Sequence, residues 1–173
     1  MTGDAKQVSR WGRFWAHLTH GPAAVRRVLP TDAMDRLEAR IGAAEGGHAG
    51  EIRVCVEASL PALRAWHGHG TRERAWQLFS DLRVWDTAAN SGVLVYLLLA
   101  DRAIEIVADR GLAGIDWEPV MSPLRAALRD GAFERGLADA VDAVAREMRR
   151  RFPLDAEGQA RDVDELPNRP HVV

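Results

Sequence analysis

The run Val93-Leu94-Val95-Tyr96-Leu97-Leu98-Leu99 is apolar on both alternations. A strand of this kind must be covered on both faces, which is the habit of a central strand in a layered α/β sheet. A buried helix is the rival reading. It is disfavoured by the run's shortness, its Val and Tyr content, Asn90-Ser91-Gly92 before it and Asp101-Arg102 after it. A membrane span needs roughly 20 apolar residues, more than this run holds. In Ala103 to Ala108, Ile104 and Ile106 alternate with Glu105. With only Asp101-Arg102 between the two runs, a β-hairpin is the economical link. The hairpin returns Asp109 and Arg110 to the end of the sheet that holds Asp86 and Asn90. It leaves Asp101 at the opposite end.

Upstream, Glu51-Ile52-Arg53-Val54-Cys55-Val56-Glu57 alternates cleanly. Ile52, Val54 and Val56 are expected to face a core, and Cys55 falls on the polar phase. Thr71 is read as the cap of a helix carrying Ala75, Leu78, Phe79 and Leu82, broadened by Trp76. Strand, helix, strand implies a right-handed crossover and a parallel pair. That pairing sets His48 and Glu51 beside the Asp86–Asn90 loop. Asp86, Asn90, Asp109 and Glu51 are therefore candidate ligands for a divalent cation. Calcium takes six to eight oxygen ligands, so backbone carbonyls and water would supply the rest. Arg110 is the candidate contact for a phosphate group. The competing reading is turn chemistry, since Asp and Asn satisfy their own backbone in loops.

Thr31 or Asp32 is read as the cap of an earlier helix, with Met34, Leu37, Ile41 and Ala44 on its apolar face and Gly46-Gly47 at its end. Downstream, two starts are open: Asp116-Trp117-Glu118-Pro119 with proline in the first turn, or Ser122 as cap with Pro123 at the first helical position. Phe133, Leu137, Val141, Val144 and Met148 line one face of a final helix, and Arg149-Arg150-Arg151 suit the dipole at its C-terminus. From Pro153 onward the chain reads as a polar, proline-containing tail. At the other end, Trp11, Phe14, Trp15 and Leu18 fall at i, i+3, i+4 and i+7, with Arg10, Arg13 and His17 on the other side. This stripe reads either as an interfacial helix for anionic lipid or a partner, or as a helix packed on its own domain. The expected organisation is a basic N-terminal arm over 1–28, a domain over 29–153 and a tail over 154–173.

A net charge of −2 and a pI near 6.3 argue against nucleic acid as a partner. The single cysteine, Cys55, rules out an intramolecular disulfide. As a nucleophile Cys55 lacks an assignable cation to lower its pKa, and Cys55 to Pro61 contains no arginine for a phosphate loop. His67-Gly68-His69 is a weak metal signal without further ligands nearby. Asp162-Val163-Asp164 lacks the strand that would position a nucleophilic aspartate. No signal peptide is visible, so a cytoplasmic location is expected, with attachment to the inner face of the membrane as the alternative.

Taken together, these stretches resemble the TPM-domain family, which includes the thylakoid-lumen phosphatase-like proteins of photosystem repair. The likeness is carried by the Glu51-Ile52-Arg53 strand, Arg74 to Phe79, Val84-Trp85-Asp86-Thr87, Asn90 to Tyr96, Asp101-Arg102, Ile104 to Gly111 and Gly131 to Leu137. A short bacterial branch also shares the Trp/Arg-rich start and the Glu165-Leu166-Pro167-Asn168-Arg169-Pro170 segment. The resemblance implies an α/β fold, an αβα sandwich with a small mixed sheet and helices on both faces. It also implies either weak acid phosphatase activity, or binding of calcium or another divalent cation through acidic loops, or a role in maintaining membrane complexes. The matching positions here are Asp86, Asn90, Asp101 and Asp109. The expectation is a non-catalytic factor that binds an unidentified protein partner, with a divalent cation and no organic cofactor. The alternatives are a metal-assisted phosphatase, or a protein held at a membrane surface by Trp11, Phe14, Trp15 and Leu18.

Overall fold

The computed structural model describes residues 21–61, 70–154 and 164–173. The Trp11–Leu18 stripe and His67-Gly68-His69 lie outside the described residues. The elements run α1 (Pro22–Val28), α2 (Thr31–Glu45), β1 (Ile52–Glu57), α3 (Thr71–Asp81), β2 (Val93–Leu98), β3 (Ala103–Ala108), a 3-10 turn (Arg110–Leu112), α4 (Glu118–Arg129), α5 (Phe133–Arg151) and β4 (His171–Val172).

The sheet order is β3-β2-β1-β4. β1 and β2 are parallel, with Ile52 opposite Val93 and Glu57 opposite Leu98. β2 and β3 form the antiparallel hairpin, with Leu98 opposite Ala103. Its turn closes on Arg102, at φ 49, whose N–H donates to the Leu99 carbonyl at 3.0 Å. All six residues of β2 are buried, as an all-apolar central strand requires.

Each face of the sheet covers its own core. Ile52, Val54, Val56, Val93, Val95, Leu97, Ile104 and Ile106 pack against α1, α2, α4 and α5. Cys55, Leu94, Tyr96, Leu98 and Val107 pack on the other side against Ala75, Leu78 and Phe79 of α3 and against Leu166. The result is an αβα sandwich.

Three local expectations give way, and of the two starts left open for the helix after the hairpin the structure takes the first. Thr31 and Thr71 lie inside the first turns of α2 and α3 rather than capping them; Pro30 and Gly70 occupy the cap positions, in extended backbone, with no side-chain cap bond. Asp32, also inside α2, pairs with Arg36 one turn on, at 2.9 Å. α4 starts at Glu118 with Pro119 in its first turn, and carries Pro123 inside. Pro123 has no N–H to donate one turn back, yet it is exposed, and Val120 and Leu124 bury the helix's apolar face. The end of the supposed tail also returns to the sheet. His171 and Val172 pair in parallel with Cys55 and Val56, the Val173 N–H donates to the Val56 carbonyl at 3.1 Å, and the Ala58 N–H donates to the Val173 carbonyl at 3.2 Å. Prolines 167 and 170 are tolerated because β4 is a two-residue edge strand that begins after them.

That return and α3 together bury the polar phase of β1 as well. The Arg53 guanidinium donates to the carbonyls of Pro167 and Arg169, the latter at 2.8 Å. Glu57 receives the Arg74 guanidinium as a fork, at 2.9 and 3.0 Å. Glu57 thus has a partner of opposite sign and Arg53 two carbonyl acceptors, the kind of pairing that burial of a charge demands.

Candidate functional site

The acidic loops meet at the end of the sheet where β1 and β2 begin and β3 ends. Their meeting is built from backbone. The Asp109 N–H donates to the Gly92 carbonyl at 2.9 Å, and the Gly111 N–H to the Asn90 carbonyl at 3.0 Å. Asn90 sits at φ 53, a left-handed conformation that asparagine tolerates better than most residues. Gly92 is required by contact: a Cβ there would lie 1.8 Å from the Val84 carbonyl oxygen. Thr87 Oγ1 accepts the Ser91 N–H at 2.9 Å, and Ser91 Oγ donates to the Ala49 carbonyl at 2.7 Å. The loop is thereby tied to the segment that leads into β1.

The predicted residues divide in two. Asn90, Asp109 and Arg110 belong to one backbone junction. Asp109 Oδ1 accepts the Arg110 N–H at 2.7 Å and so caps the 3-10 turn, while Asp109 Oδ2 is buried with no hydrogen-bond partner. Asp86 and Arg110 are exposed. Asp101 lies at the far end, in the hairpin turn, as the strand order requires.

Glu51 faces a different neighbour. Its two carboxylate oxygens accept the N–H groups of Glu165 and Leu166, each at 3.3 Å. The Glu165 carboxylate in turn accepts the Ala88 N–H, at 2.9 Å to the nearer oxygen. The two glutamates therefore bind the C-terminal segment to β1 and to the acidic loop. Burial raises the Glu51 carboxyl to about 7, against the lowering effect of those two N–H groups. His48 is fully buried, and its Nδ1 accepts the Gly50 N–H at 3.2 Å. Burial, helped by the Arg149 charge, lowers its imidazole to about 4. Burial likewise pushes the Cys55 thiol up to about 12, helped by the Glu57 charge. A thiol so held is not a nucleophile near neutral pH.

A divalent cation needs several oxygens converging on one point. Among the described residues no group of three or more His, Cys, Asp or Glu is placed to hold a metal ion. Glu51 is turned to the C-terminal segment, and one Asp109 oxygen is spent on the turn. Asp109 Oδ2 is the buried acceptor left at the junction.

Sequence reasoning passes over the role of Glu165, Leu166 and Arg53 at this end. The signal present is the Glu165–Pro170 segment itself, with one apolar residue, Leu166, among polar ones and prolines.

A family profile described as the TPM domain matches residues 25–147. No curated protein matches the chain. Among solved structures, the NMR structure of BA42 protein from the psychrophilic bacterium Bizionia argentinensis sp. nov. is similar, with a TM-score of 0.72 and 25% identity. The similarity covers 84% of this chain and 95% of that one. The family match takes in β1 and β2, the hairpin, the acidic loops and nearly all of α5, and on that ground the chain belongs to the TPM-domain family.

Proposed function

We propose that this chain is a non-catalytic TPM module that acts by binding a protein partner. The observation that carries the reading is the use made of the reactive groups at the acidic end. Glu51 and Glu165 hold backbone N–H groups, Asp109 caps a turn, His48 is buried and neutral, and the Cys55 thiol is buried and protonated. Groups spent on internal structure are not free to move protons or attack a phosphate. Trp76 and Trp85 are meanwhile about half exposed, on α3 and just after it. Exposed tryptophan is the residue type most often found at binding hot spots.

The test is hydrolysis of p-nitrophenyl phosphate by metal-stripped protein, with calcium, magnesium, manganese or zinc added back in turn. The expected rate equals that of the protein-free control with every ion. Metal-dependent hydrolysis that disappears in the Asp86→Asn/Asp109→Asn double variant would overturn the reading and favour the metal-assisted phosphatase, with Arg110 on the phosphate.

A structural cation at the same loops is a compatible second reading, favoured by the unpartnered Asp109 Oδ2. Asp86, Asn90 and backbone carbonyls would complete its shell. A cation that binds only the folded chain raises stability by about 2.7 kcal/mol at a hundredfold excess over Kd. A rise in melting temperature with one ion, absent in the same double variant, supports the site; no rise with any ion removes it. Attachment to a membrane through Trp11, Phe14, Trp15 and Leu18 rests on the sequence pattern alone.

A further inference from the structure

We propose that the opposite end of the sheet binds a small amphiphilic anion, a single phosphate or carboxylate head on an apolar chain. This goes beyond the reading above and involves none of the acidic-loop residues. A cavity of about 440 Å³ opens beside the end of β2 and the hairpin turn. Its size lies in the range of small-molecule sites, roughly 300–1,000 Å³. It also lies at the carboxyl end of a parallel strand, where open α/β sheets usually take their ligands.

The lining names the chemistry. Arg27 from α1, Arg102 from the hairpin turn, and Arg125 and Arg129 from α4 line it together with an apolar floor that includes Leu97 and Phe133. No carboxylate lines the cavity among the described residues. Asp101 and Asp130, the sequence neighbours of Arg102 and Arg129, are not part of the wall. Arg125 is paired with Glu118. No ion pair joins Arg27, Arg102 or Arg129 to a carboxylate among the described residues. Four arginines line one opening, three of them without a carboxylate partner among the described residues, and like charges so gathered repel one another unless an anion lies between them. Guanidinium forks suit phosphate and carboxylate oxygens. The floor of Leu97 and Phe133 asks for hydrocarbon. A bare inorganic anion leaves that floor in water, and a neutral hydrocarbon leaves the arginines unpaired.

The experiment is calorimetric titration of the full chain with three probes: octyl phosphate, octanol and inorganic phosphate. Octyl phosphate is expected to bind saturably, with each half-probe at least about tenfold weaker. The Arg27→Gln/Arg129→Gln variant is expected to lose at least about tenfold in affinity for octyl phosphate. Both positions are exposed on helices, so its melting temperature should match the parent's and exclude misfolding. Failure of octyl phosphate to bind at about millimolar concentration, or equal binding by the variant, overturns the proposal. Co-sedimentation with phosphatidylcholine vesicles containing phosphatidate separates two sources of the same head group. Variant-sensitive sedimentation supports the site with a lipid as its source. Titration without sedimentation supports it with a soluble anion as its source. These readouts are independent of p-nitrophenyl phosphate hydrolysis, so either proposal can fail alone.

Discussion

Tyr96 donates its hydroxyl hydrogen to Glu57 Oε2 at 2.6 Å, reaching diagonally across the β1–β2 pair from a position opposite Cys55. The Arg74 guanidinium closes on the same carboxylate from α3. Glu57 is 2% exposed, so its charge is stabilised by these two partners rather than by water. Burial and the adjacent Glu57 charge raise the Tyr96 hydroxyl well above the usual phenol range, which keeps it a donor.

Removing one member of this group should cost according to what is left behind. Tyr96→Phe deletes one charge-assisted bond and leaves Glu57 paired with Arg74, a loss of about 1.5–3 kcal/mol. Glu57→Ala leaves a largely buried guanidinium without its carboxylate, a loss of about 3–5 kcal/mol. Urea unfolding of the two variants checks the order. A Glu57→Ala loss no larger than that of Tyr96→Phe would mean that the pair contributes little.

Glu51 should make stability depend on pH in the direction opposite to an ordinary ion-paired carboxylate. Its folded-state pKa of about 7 lies above its ordinary value of 4.5. Its stabilising contribution is therefore complete below the unfolded pKa and is lost as pH rises through the folded one. The loss is roughly 3 kcal/mol across that window. His48, lowered to about 4, contributes the other way: its part is complete above its unfolded pKa and is lost as pH falls through the folded one. That contribution is common to parent and variant. The measurement is the melting temperature of parent and Glu51→Gln at about pH 5 and pH 8. The parent should lose more stability across the interval than the variant; parallel profiles would show that Glu51 does not titrate there.

The C-terminal segment should shield Cys55. Leu166 packs in the same core as Cys55, and His171 pairs opposite it. Deleting residues 164–173 also strips the Arg53 side chain of its two carbonyl acceptors. The truncated chain should melt lower, and Cys55 should react with Ellman's reagent at least about tenfold faster than in the intact protein. Unchanged reactivity would assign the protection to α3 alone.

The hairpin, the parallel pair and the apolar faces of α2, α3 and α5 are legible in the residues because each depends on local periodicity. Val93–Leu98 allows one placement, in the middle of a sheet, and Asp101-Arg102 leaves room for one connection. The meeting of the Asn90 and Asp109 loops follows from those two facts. The cap positions are not legible, because Thr31 and Thr71 suit a cap and a first turn alike, and the chain enters each helix one residue sooner.

Glu51 shows the limit most clearly. Its alternation places it on the polar phase of a strand, and its loop neighbours suggest a ligand. The tertiary structure decides otherwise by bringing Glu165 and Leu166 from more than a hundred residues away to donate to it. The same long-range return, together with α3, makes Arg53, Cys55 and Glu57 core residues, which no pattern within β1 encodes. The arginine-lined cavity is equally non-local: Arg27, Arg102, Arg125 and Arg129 stand on three separate stretches and become neighbours only when α1, the hairpin turn and α4 close around the end of β2. Periodicity is a property of neighbouring residues and is readable in order along the chain. Charge pairing across elements depends on where the packed backbone carries each side chain, and only the folded sheet and its two helical layers determine that.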